Sequence, residues 1–172
     1  MNRRRYSVVG VVVAALLLTA IPVLASLSSG DKDLIKDAVR NLKSASDDCR
    51  VVRDKTSDEH IRNLASTVVG GDNKMVEQLR DIAEKNDFKF DEEASTSDRK
   101  GTKSLEKLRG SELDRAFLEN TVRDHEELLT IFKKGAADAK NQDLRDWFDR
   151  KQDGIREHRD KAQALLKEQK DR

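Results

Sequence analysis

The chain has 172 residues, of which 39% are charged (34 Lys and Arg against 33 Asp and Glu), 36% apolar and 4% aromatic, with one Pro, one Cys and eight Gly. That is the length of one domain; a single Cys excludes a disulfide scaffold, an iron–sulfur cluster and a zinc ribbon, and one Pro with few Gly excludes collagen, Pro-rich linkers and most loop-rich β folds. The excess of Lys, Arg, Asp, Glu, Leu and Ala over β-branched and aromatic residues predicts long helices.

The first segment reads as an address. Arg3, Arg4 and Arg5 precede any acid, residues 8–24 are apolar apart from Gly10, Thr19 and Pro22, and Val23-Leu24-Ala25 leads into Ser26. A charged start, an apolar run and a small residue at the exit make a secretory signal peptide cut after Ala25. Export to the periplasm or the outside follows. The alternative is an uncleaved N-terminal anchor on the cytoplasmic membrane, with membrane contact only through residues 7–27. The apolar run sits at the short limit for crossing a bilayer, and Pro22 ends a helix early. No Cys follows it to carry a lipid. Removing residues 1–25 takes three arginines and no acid, leaving 31 basic against 33 acidic side chains, a formal charge of −2. Such a chain has no electrostatic reason to bind nucleic acid. The lone Cys49 reads as a small core residue.

The rest reads as four long amphipathic helices. The first starts at Gly30-Asp31, with Asp31 as cap, and carries Ala38, Leu42, Ala45, Cys49 and Val52 on one face. The second opens near Ser57-Asp58, carries Ile61, Leu64, Ala65, Val68, Met75, Leu79 and Ile82, and ends near Asn86. Residues 87–110 form a polar connection with a short helix around Leu105 and Leu108. The third helix starts at Ser111, with Leu113, Phe117, Thr121 or Val122, His125, Leu128 or Leu129, Phe132 and Ala136 along its face. The fourth starts near Asn141 and carries Leu144, Phe148, Lys151, Ile155, His158, Ala162 and Leu165, flanked by Trp147 as a packing residue. None can bury its stripe alone, so the expected fold is all-α: a ferritin-like four-helix bundle. The long connection allows a crossover that leaves the second and third helices parallel. The expected organisation is a signal over 1–25, a short linker over 26–30, the bundle over 31–168 and a tail over 169–172.

Three polar residues interrupt the stripes. Asp72 fills the gap between Val68 and Met75, His125 sits in the third stripe and His158 in the fourth. All three lie near the middle of helices of similar length, and mid-height meets mid-height in a bundle whichever way each helix runs. Two imidazoles and a carboxylate are the ligand set that suits zinc or iron. Two further readings stay open: a buried hydrogen-bonded cluster with Asp72 accepting from a histidine, and rotation of one or more members to the rim. The residues three before His60, His125 and His158 are Ser57, Val122 and Ile155, so the Glu-x-x-His signature of di-iron bundles is absent. His60 belongs to the surface of a first turn. Asp47 and Asp48 fall off the main stripe of the first helix and outside the site. Gly70-Gly71, just before Asp72, marks either the close approach of a neighbouring helix, a kink, or a break. No nucleophile elbow, P-loop or Gly-x-Gly-x-x-Gly is present, so no catalytic residue is assigned.

The stretch Glu112-Leu113-Asp114-Arg115-Ala116-Phe117-Leu118-Glu119-Asn120-Thr121-Val122-Arg123-Asp124-His125-Glu126, and Ile155-Arg156-Glu157-His158 followed by Ala162 and Leu165, resemble a family of exported bacterial proteins described as domain of unknown function 4142 and grouped with ferritin-like bundles. The resemblance covers about residues 31–168. It implies fold and export, and no particular reaction. The family pattern Met-Val-x-Asp-His on two helices is approached by Thr121-Val122-Arg123-Asp124-His125. Val68-Val69-Gly70-Gly71-Asp72 departs from it, with Gly71 where the family has Asp and Asp72 where it has His. The expected function is a non-catalytic exported bundle of the cell envelope, without cofactor, acting on an unknown envelope or protein partner through its surface. The rival is a metal-binding bundle using His125, His158 and Asp72 with zinc or iron.

Overall fold

The computed structural model describes residues 26–90 and 98–170. The signal segment lies outside the described residues. Five helices are present among them: α1 (Ser29–Arg53), α2 (Glu59–Glu84), α3 (Asp98–Leu105), α4 (Gly110–Asp138) and α5 (Gln142–Lys170). They include no helix long and apolar enough to cross a membrane. The four long helices are the four read from the stripes, and α3 is the short helix inside the connection.

Side-chain capping explains where the helices begin. Ser28, not Asp31, is the cap of α1, and Asp31 takes the third helical position in a reciprocal capping box. Leu27 is buried in the core, so residues 27–30, expected as a linker, belong to the bundle. Asp58 caps α2 through the His60 and Ile61 amides. Asn141 caps α5 through the Leu144 amide at 3.0 Å. In α5 the inward position belongs to Gln152, which is buried, while Lys151 is only half-buried. A long ammonium stem keeps its head in water, and an amide tolerates the interior more cheaply.

α1 and α2 form one antiparallel hairpin and α4 and α5 another. At one end Asp31 binds the backbone amides of Lys140 (2.7 Å) and Asn141 (3.3 Å), between α4 and α5. Asn141 in turn reaches Asn86, beyond α2. At the other end Thr56, in the α1–α2 turn, donates to Asp114 near the start of α4 at 2.6 Å. So α1 and α5 run one way and α2 and α4 the other. The end of α2 and the start of α4 therefore lie at opposite ends of the bundle, and α3 packs mainly on α1.

The core comes in two clusters. One, at the Asp31 end, includes Ile35, Leu42, Leu79, Phe132, Trp147 and Phe148. Here Phe132, Trp147 and Phe148 meet at centroid distances of 5.2–5.4 Å, and the Trp147 indole N–H donates to Gln78 at 3.0 Å. Gly135 permits the closeness of α4 and α5, since a Cβ there would stand 2.3 Å from the Phe148 ring. The other cluster includes Cys49, Val52, Ile61, Val68, Phe117 and Ala162. Burying these faces is the main stabilising term. Exposed pairs such as Arg115–Glu119 and Lys161–Glu157 add little by comparison.

Asp31 carries the end contacts. Burial raises its pKa, but hydrogen bonds from Ser28, Lys140 and Asn141 outweigh that and hold it below the ordinary carboxylate value. A depressed folded pKa contributes stability above the unfolded value, lost as pH falls through the folded one. Asp31→Asn is therefore expected to cost about 1.5–3 kcal/mol at pH 7. The deficit relative to the native chain should shrink below about pH 4. Thermal unfolding followed by circular dichroism at the two pH values checks both.

Candidate metal centre

Each long helix places a polar residue between the two apolar clusters. On α1 it is Ser46, between Leu42 of one cluster and Cys49 of the other. On α2 it is Asp72, between Met75 and Val69; on α4 Thr121 and His125, between Leu128 and Leu118; on α5 His158, between Ile155 and Ala162. Asp72 and His125 are 0% exposed, Ser46 1%, Thr121 4% and His158 6%. The structure therefore brings the three sequence-predicted residues together and contradicts the rim reading. One ligand atom from each of Asp72, His125 and His158 lies within 4.8 Å of the others.

The hydrogen-bonded-cluster reading fails on distance. His158 Nδ1 stands 3.9 Å from Asp72 Oδ1, beyond hydrogen-bond range. Among the described residues, the buried side-chain atoms without a partner are Ser46 Oγ, both Asp72 oxygens, His125 Nε2 and His158 Nδ1. Each such atom costs on the order of 1–3 kcal/mol, and all fall in this one layer. The exception to the pattern is His125 Nδ1, 2.8 Å from the Thr121 carbonyl oxygen. A carbonyl only accepts, so Nδ1 carries the proton and Nε2 presents its lone pair to the layer. This is the tautomer that metal-ligating histidines adopt.

Burial holds the trio uncharged when nothing compensates it. It pushes the Asp72 carboxyl well above the ordinary value. Burial, and then the neighbouring His158, bring His125 down to about 4, and burial lowers His158 as well. Burial raises the Cys49 thiol well above its ordinary value, and the Asp72, Asp48 and Asp124 carboxyl groups act in the same direction. A divalent cation would reverse the protonation logic for Asp72 and accept the free lone pairs. Around a tetrahedral zinc ion, ligand atoms at about 2 Å from the metal stand about 3.3–3.6 Å apart. The 3.9 Å Asp72–His158 separation is within a few tenths of an ångström of that spacing.

α2 is continuous through Gly70-Gly71, and the two glycines differ. A Cβ on Gly71 would lie 3.0 Å from His158 Cε1, whereas one on Gly70 would meet nothing within 4 Å. Gly71 is thus the close approach that seats the His158 ring. His60 is exposed, as expected. Asp48 lies outside the site, as its place off the main stripe of α1 implies, but it is buried, 6% exposed, and accepts from Thr102 of the α3 region at 2.6 Å. Its partner arrives from the crossover, and the pattern of α1 alone carries no sign of that.

A family model described as domain of unknown function (DUF4142) matches residues 21–165. Among solved structures, the crystal structure of a DUF305 fragment from Deinococcus radiodurans aligns with a TM-score of 0.75. That alignment covers 83% of this chain and 99% of that one at 12% sequence identity, a likeness of fold. No curated protein matches the chain in sequence.

Two pairs of measurements follow from the local geometry. Gly70→Ala should raise stability by about 1 kcal/mol through helix propensity. Gly71→Ala should fall short of that gain because the His158 ring must give way, and thermal unfolding of the two single variants compares them. For Asp48, burial raises the pKa to about 6 against the opposing Thr102 hydrogen bond, with Asp124, Arg123 and Asn120 as smaller influences. A raised folded pKa penalises the charged form above that pH. Asp48→Asn is therefore expected to stabilise by on the order of 2 kcal/mol above pH 7. The gain should vanish as pH falls below about 4, as denaturant midpoints across that range would show.

Proposed function

The chain belongs to the DUF4142 family, and from the polar layer inside its bundle we propose that it is a divalent-metal-binding protein. Asp72, His125 and His158 would hold a single zinc or ferrous ion. The observation that carries this is that one ligand atom from each of Asp72, His125 and His158, on three helices, lies within 4.8 Å of the others, in a layer whose buried nitrogen and oxygen atoms lack partners. Two imidazoles and one carboxylate form the set used for both ions, with coordination positions left open. The Thr121 carbonyl behind His125 supplies the outer partner that fixes its ring. The absence of Glu-x-x-His spacing argues for one ion and not a di-iron pair.

The same proposal includes export. Arg3–Arg5 followed by the apolar run of residues 8–24 supports a signal removed after Ala25. The mature chain would then start at Ser26 and work in the cell envelope as a binding protein and not a catalyst. The mass of the mature N-terminus tests this, and a retained segment 1–25 would favour the membrane anchor.

Elemental analysis of protein purified without tag or chelator tests the metal. About one zinc or iron per chain is expected, lost in a His125→Ala/His158→Ala double variant. Metal at a hundredfold excess over its dissociation constant should stabilise the native chain by about 2.7 kcal/mol and leave the double variant unmoved. If the native chain takes up no metal, the trio is a structural layer, and the bundle acts instead through its exposed, ion-rich faces.

A further inference from the structure

Resting on the metal reading above, Ser46 is the one orphan of the layer that the three ligands leave unexplained. It is 1% exposed and its hydroxyl has no partner. Helical hydroxyls have an easy local solution, the carbonyl four residues earlier. Ser66, Thr67, Thr121 and Thr130 all take it, at 2.9–3.1 Å. Ser46 does not. It comes from α1, the one long helix that contributes no ligand, and lies between Leu42 and Cys49 at the level where the two clusters part. A buried donor left free in a layer of metal ligands points to a group that arrives with the metal.

Charge specifies that group. One carboxylate and two neutral imidazoles around a divalent ion leave a net charge of +1 in an interior flanked on both sides by apolar clusters. An uncompensated buried charge is costly. Among the described residues, the titratable side chains with a ligand atom in the cluster are Asp72, His125 and His158, so no second carboxylate would ligate the ion and cancel the charge at the metal itself. A small monovalent anion on the open α1 side would cancel it, and a hydroxyl donor is the hydrogen-bond partner such an anion needs. We propose that the metal keeps one coordination position for a small exchangeable monovalent anion, of the hydroxide, halide or azide class, and that Ser46 donates a hydrogen bond to it. Ala45 and Cys49 beside Ser46 are buried, so the ligand is limited to a few atoms.

Cobalt-substituted full-length protein tests this, with azide as the probe. One equivalent of Co²⁺ should give a visible ligand-field spectrum, and azide should shift it with saturable, one-to-one binding. Ser46→Ala should weaken azide binding by about tenfold, the worth of a hydrogen bond to a charged group. Cobalt affinity should stay within about twofold. The metal-free Ser46→Ala protein should melt no lower than the native chain, because a free buried hydroxyl has been removed. A cobalt spectrum that azide leaves unchanged would overturn the open position while leaving the metal reading intact. Equal azide affinity in Ser46→Ala would overturn the role of Ser46. Failure to bind cobalt would remove the metal reading and this inference with it.

Discussion

A carboxyl group sealed inside a helical bundle with no hydrogen-bond donor in reach is a costly thing to keep, and Asp72 is such a group. Its position organises the rest. The apolar faces of the four long helices do not form one continuous core but two clusters, one toward each end. Asp72, His125, His158 and Ser46 occupy the interval between them. Apolar burial above and below supplies the stability that tolerates this layer, and the same burial sets its protonation. The layer is therefore uncharged because its neighbours bury it.

Such a layer needs accurate register, since a slip of one helical turn would move a ligand by about 5.4 Å. The ends of the bundle supply it. Asp31 ties the start of α1 to the α4–α5 turn, and Thr56 ties the α1–α2 turn to Asp114 on α4. Both are polar contacts between the two hairpins, directional in a way that apolar stripes are not. Within the layer, Gly71 sets how closely α5 approaches α2, and the Thr121 carbonyl orients the His125 ring. The parts that position the trio are thus a glycine and a backbone oxygen, neither of which has ligand chemistry of its own.

The charged residues that dominate the composition serve another purpose. Pairs such as Lys36–Asp33, Arg40–Asp37, Arg62–Glu59, Arg115–Glu119, Arg156–Asp153 and Lys161–Glu157 lie within single helices, three or four residues apart, and are exposed. They keep the outer faces wet and contribute little stability. The crossover adds a contact of a different kind. Its Thr102 satisfies the buried Asp48, and its Leu105 joins the core cluster away from Asp31. The connection is therefore part of the packed structure as well as the device that makes α2 and α4 parallel.

The all-helical class, the four long elements, the inward faces and the mid-height of Asp72, His125 and His158 are legible in the order of residues alone. Those are properties of period and length, and a 3.6-residue repeat of apolar side chains has one solution. The same order also set Cys49 and Trp147 in the core and His60 on the surface. Tertiary structure decided the rest. That Gln152 and not Lys151 turns inward depends on helix rotation, which a stripe defines only to within a residue. That Asp48 is buried depends on a partner 54 residues away. That Asp72 and His158 stand 3.9 Å apart, too far for a hydrogen bond and near enough to share an ion, depends on how closely two helices pack. Spacing along a chain carries the level of a side chain in a bundle; only the packed helices carry the distance across it.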